Sequence, residues 1–112
     1  MKLPNGERAF VNMAKLRDYS LSSTHEEGKH KAHVFHSALG MDSRHADWLH
    51  GQLLRAAVEE ECTPGRNDEH GQRYVVDFDV SFESRTARLR SAWIVRSNND
   101  SPRLVSCYVL NR

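Results

Sequence analysis

The side chains of this chain best suited to hold a phosphate or move a proton are His25, Lys29, Lys31, Arg90, Ser91, Arg103 and Ser106, with Trp93 beside them. Lys29 and Lys31 fall in the first turn of a helix, where the backbone dipole is already positive. Two cations there are mildly unfavourable unless an anion lies nearby. The plainer alternative is that long side chains reach water, and it suits Lys29 better than Lys31. His25 sits in the polar loop just ahead, where an imidazole can act as general acid or base near neutral pH, although most loop histidines do neither. Arg90 and Ser91 are neighbours on a strand and so point to opposite faces, Ser91 with Trp93 and Arg90 with Arg88 and Arg96. Three arginines on one face form a stripe suited to a phosphate backbone. Cross-strand pairing with Asp77 and Asp79 is the competing and, on composition, favoured use of that face.

Other chemistries find less support. His30, His33 and His36 recur every three residues, but six residues carry a helix well past half a circle, so the outer two cannot share a face. No acidic residue stands at metalloprotease spacing and no Cys lies in that stretch, so no metal site is expected. Neither a Ser-His-Asp or Cys-His set, a Gly-rich phosphate loop nor a carboxylate pair stands out, and no cofactor is implied.

These groups must be positioned by a single domain spanning residues 1–112, a length that supports one two-layer core. Sixteen Lys and Arg against fifteen Asp and Glu give a net charge of +1, which argues against broad electrostatic capture of nucleic acid but leaves room for a local basic patch. Cys62 and Cys107 read as separate, reduced, structural thiols. The opening residues turn polar at once and no apolar run is long enough for a bilayer. The expectation is a soluble, cytoplasmic protein with no membrane partner, or a module of a larger one.

The periodicities predict helices first and strands second. After the turn Pro4-Asn5-Gly6, a short extended segment covers Arg8 to Val11. A first helix follows over about Asn12 to Tyr19, with Asn12 as N-cap. Ser20 to Gly28 reads as a loop. A second helix covers Lys29 to Ala38, with Gly40 as its stop, and a third runs from Asp42 or Ser43 to about Glu60. Strands are predicted over Arg73–Val80, Ala87–Arg96 and Arg103–Leu110, with a turn at Glu83-Ser84-Arg85 and a polar loop over Ser97–Pro102. The last strand, apolar on both faces, reads as central. The fold class is α+β, with two or three N-terminal helices packed on a C-terminal antiparallel sheet of three to four strands.

Four segments, Lys29-His30-Lys31-Ala32, Gly71-Gln72-Arg73-Tyr74, Arg90-Ser91-Ala92-Trp93 and Pro102 to Tyr108, together with His25 and Leu39-Gly40, resemble an uncharacterised bacterial domain family from Leu3 to Leu110. That family looks like a toxin-type domain, free-standing or at the ends of phage-head and secreted polymorphic proteins. Its layout is similar to the barnase–EndoU–colicin–RelE class of metal-free ribonucleases. The resemblance implies cleavage of RNA, tRNA included, by attack of the 2′-hydroxyl on the adjacent phosphate. His25 would transfer the proton, and Lys31 and Arg90 would stabilise the phosphorane charge. Ser91 or Ser106 would hold the phosphate, and Lys29, Arg103 and Trp93 would bind substrate, although Trp93 has the apolar neighbours of a core residue. An antitoxin or immunity protein is the implied partner. Position 106 is Ser where relatives are expected to carry Thr, which keeps the hydroxyl. The competing reading is a non-catalytic interaction module, immunity-like or phage-associated, with Arg88, Arg90, Arg96 and Arg103 as its interface.

Overall fold

The computed structural model describes residues 1–26 and 28–110. Asn12 starts the first helix as expected, its side chain accepting from the backbone N–H groups of Ala14 and Lys15. That helix is brief: α1 (Met13–Lys15) widens into a π-helical turn over Leu16–Ser20. The polar loop after it contains Glu27, which lies outside the described residues. Helix α2 (Lys29–Leu39) buries Ala32, Phe35 and Leu39 and ends at Gly40 in the left-handed conformation. Asp42 caps a short 3-10 turn over Ser43–His45 that leads into α3 (Ala46–Glu59). No helix among the described residues is long and apolar enough to cross a membrane.

The second half is a four-stranded antiparallel meander, β1 (Thr63–Asp68), β2 (Gly71–Phe82), β3 (Arg85–Arg96) and β4 (Asn99–Val109), in that spatial order. The fold is α+β. Val76, Phe78, Val80, Leu89, Ser91, Trp93, Leu104, Cys107 and Val109 face the helices, and Leu16, Phe35, Leu39, Leu49 and Leu53 fill the other side of the core. The turn between β2 and β3 places Glu83 and Ser84 at positive φ, 48° and 66°, the arrangement that matches the twist of a two-residue hairpin.

Three expectations are corrected. Strand β1 lies where none was predicted, because its residues are almost all exposed and it shows no apolar alternation. Ser97–Pro102 is not a loop: pairing of Arg96 with Asn99 carries β4 back to the turn. Strand β4 is at the sheet edge rather than its centre. Its second covering comes from the chain's opening segment, where the N–H of Phe10 donates to Pro102 O at 2.8 Å and that of Leu104 to Phe10 O at 3.0 Å. Phe10 thereby pairs in parallel with Arg103.

Candidate functional site

The sheet face turned away from the helices carries the polar chemistry, and strand register fixes its rows. One row is Asp77, Arg90 and Tyr108; the next is Val75, Ala92 and Ser106; the third is Arg73, Ile94 and Arg103, extended by Phe10. A bulge between Ala92 and Trp93 leaves Val105 outside the register. Val75, Ala92 and Ile94 therefore form a small apolar floor, with Glu60, Glu61, Thr63 and Asp77 beside its Val75 end and Arg103 at its β4 end.

Arg90 is held at both sides. Its Nε and Nη2 donate to the two Asp77 carboxylate oxygens at 2.9 Å each, a bidentate pair. Asp77 first, and the Tyr108 hydroxyl after it, hold the guanidinium pKa above its ordinary value. Arg90 in turn keeps the Asp77 carboxyl below the usual range, against the opposing effect of burial. Arg88 pairs with Asp79 at 3.1 Å. On these two rows, then, cross-strand pairing prevails over an open basic stripe.

The neighbouring end of the face differs. Lys31 reaches from α2 so that its Nζ lies 5.0 Å from the Tyr108 ring centroid, which brings it to the same ring that Arg90 meets. Lys15 lies close enough to Lys31 and Arg103 that its pKa is lowered, burial being the larger cause and those two charges the next. The Arg103 guanidinium stacks 4.9 Å from the Phe10 ring centroid. Arg73 Nε is buried with no hydrogen-bond partner among the described residues. Within those residues, Lys15, Lys31, Arg73 and Arg103 have no carboxylate within 4.0 Å. Most other cations among the described residues are paired, so Lys15, Lys31 and Arg103 stand apart, whereas Arg73 feels the Asp68 carboxylate, whose pKa it helps to lower.

The predicted site residues separate accordingly. Lys31, Arg90, Arg103 and Ser106 share this face or its β4 edge. Ser91 and Trp93 do not: both are 0% exposed, on the core side. Ser91 Oγ donates to Val76 O and accepts from Trp93 Nε1, at 2.9 Å in each case, so the two residues form an internal polar bridge closed to a phosphate or a base. Lys29 pairs with Glu26 at 3.5 Å. His25 stays at the start of α2, where its Nδ1 accepts from the Gly28 N–H at 3.1 Å and its ring lies edge-on to Tyr19 at 4.6 Å. A side chain at position 28 would strike Tyr19 O, so Gly28 is what allows that turn to close. His30, His33 and His36 are exposed on α2.

Sequence reasoning missed Lys15, Arg73, Tyr108 and Phe10. For Tyr108 a signal was present, since it alternates with Ser106 along one strand. The role of Phe10 depends on a pairing nearly a chain length away, and no local pattern encodes that.

Fold and surface together define an α+β domain with helices on one side of a meander and an open, partly basic face on the other. Residues 2–111 match the family described as a domain of unknown function (DUF6883), and the chain belongs to that family. Among solved structures it is similar to a chain of the contact-dependent growth inhibition toxin–immunity protein complex from Klebsiella pneumoniae 342. The TM-score is 0.67 at 14% identity, over 91% of this chain and 93% of that chain, so what is shared is the fold. No curated protein matches.

Proposed function

We propose that the chain is a toxin-type, metal-independent endoribonuclease whose substrate lies on the outer sheet face. One observation carries this reading: Lys15, Lys31 and Arg103, drawn from three elements, gather at the β4 side of the outer face with no carboxylate within 4.0 Å among the described residues. Clustering like charges from separate elements is unfavourable in the empty protein and is compensated when a polyanion binds.

In this reading the RNA 2′-oxygen bonds to the adjacent phosphorus and the bond from phosphorus to the 5′-oxygen breaks, leaving a 2′,3′-cyclic phosphate and a 5′-hydroxyl. Lys31 and Arg90 neutralise charge on the five-coordinate phosphorus, and the hydroxyl of Ser106 donates to a phosphate oxygen. His25 takes the 2′-hydroxyl proton once its Nδ1 releases the Gly28 N–H that it accepts in the empty protein. Tyr108, between Lys31 and Arg90, supplies a proton to the leaving oxygen. A neutralising immunity or antitoxin protein would meet the same face with carboxylates.

The competing reading, a non-catalytic interaction module, draws on the Arg88–Asp79 and Arg90–Asp77 pairs, which leave two arginines already compensated. Incubation of the protein with total RNA and tRNA in EDTA, followed by end-group analysis, separates the two. The expected products are discrete fragments ending in 2′,3′-cyclic phosphate, lost in Lys31→Ala and His25→Ala. Absence of cleavage by folded protein over a wide concentration range would leave the interaction module.

A further inference from the structure

Phe10 is one of few large apolar side chains left exposed, at 47% of its surface. Exposed aromatics on loose segments need no explanation, but Phe10 is not on one. Its own N–H and C=O are both bonded to β4, which fixes its backbone as firmly as that of a strand residue. Parallel pairing with Arg103 puts its ring at the end of the row Arg73–Ile94–Arg103, on the outer face. The Arg103 guanidinium covers part of the ring. Next to Arg103 come Lys15 and Lys31, with no carboxylate to compensate them among the described residues. A rigid aromatic plane beside a line of unpaired cations is the arrangement that proteins use to hold unpaired nucleotides, the ring stacking a base and the cations tracking the backbone.

We infer that Phe10 and Arg103 form a subsite for an unpaired nucleobase, with Lys15 and Lys31 on its flanking phosphates, so that the protein selects single-stranded RNA. The inference deepens the ribonuclease reading and rests on it for the direction of the strand toward Lys31, Tyr108 and Arg90. A base pair within a duplex has both faces stacked on its neighbours and cannot lie on Phe10 without being unstacked. Single strands are therefore favoured by geometry, with little dependence on which base is presented.

The test measures binding apart from cleavage. A fluorescein-labelled RNA octamer with 2′-fluoro sugars lacks the attacking hydroxyl, and its anisotropy is followed in EDTA as single strand and as duplex. The single strand should bind at least tenfold more tightly than the duplex. Phe10→Ala should weaken single-strand binding by about tenfold or more with an unchanged salt slope, and Phe10→Trp should restore it. Arg103→Ala and Lys15→Ala should each reduce the slope of log affinity against log salt by about 0.7. Phe10→Leu keeps an apolar contact for Arg103 without a stacking plane and should bind like Phe10→Ala, which guards against a merely structural loss. Duplex binding equal to single-strand binding, or Phe10→Ala binding like the parent, overturns the subsite, even where unmodified RNA is cleaved. Phe10-dependent binding of the single strand without cleavage of unmodified RNA supports the subsite and removes the ribonuclease.

Discussion

Replacing Ser91 by Ala should damage stability and spare chemistry. The hydroxyl lies at 0% exposure between two partners, donating to Val76 O and accepting from the indole N–H of Trp93, both at 2.9 Å. Its removal leaves that indole donor buried without an acceptor, which costs about 1–3 kcal/mol, and Val76 O loses a bond worth about 1 kcal/mol net. The sum is about 2–4 kcal/mol, or roughly 10–20 °C in melting temperature for a domain of this size. Trp93→Phe removes the donor itself, so in that background Ser91→Ala should cost only about 1 kcal/mol. The double-mutant cycle then yields a coupling of about 1–3 kcal/mol. Urea unfolding followed by far-ultraviolet circular dichroism suits all four proteins, since it does not depend on the indole being replaced. A cost under about 0.5 kcal/mol, or equal costs in both backgrounds, would refute the bridge. So would a Ser91→Ala protein of parental stability that had lost RNA cleavage.

The Asp42 carboxyl is held down to about 2, chiefly by its hydrogen bond to Arg44. A lowered folded-state pKa gives stability that is present above the ordinary carboxylate value and lost as pH falls through about 2. The gap in urea midpoint between the parent and Asp42→Asn, which keeps a capping oxygen, should be constant above about pH 5 and close toward that lower value. Gly71 has φ of 136°, and a Cβ there would lie 2.2 Å from Val95 O, so Gly71→Ala should destabilise by about 3 kcal/mol in chemical unfolding. Burial pushes the Cys107 thiol up to about 12 and also raises that of Cys62. Iodoacetamide at pH 8 should modify neither in the folded protein and both in urea, as read by mass spectrometry; rapid native labelling of Cys107 would contradict its burial.

The helices were legible because each writes its own limits. Asn12 and Asp42 accept from backbone N–H groups at helix starts, Gly40 adopts the left-handed stop, and Phe35 and Leu39 repeat on one buried stripe. Strands β2 and β3 were legible through alternation. Strand β1 was not, since Thr63, Pro64, Asn67 and Asp68 are held by pairing to β2 and show no apolar alternation. The apolar character of β4 was seen but its position was not, because the chain's opening segment and α2 cover it as a further strand would. At the site, residue type pointed to Lys31, Arg90, Arg103 and Ser106, which do share a surface. It also pointed to Ser91, whose hydroxyl serves an internal donor, and a one-residue step along a strand decides between those outcomes.

The segment that covers β4 also touches the opposite end of the meander. Met1 O accepts from the Cys62 N–H just before β1, Lys2 bridges to Glu61, and further along the same segment Phe10 closes against β4. The domain's opening stretch thus completes its contacts only with residues of the domain's final strand. During translation the β4 edge cannot be sealed until Pro102 to Leu104 have left the ribosome, so the incomplete chain has no finished outer face. Any activity that needs that face is withheld until the whole domain has been made.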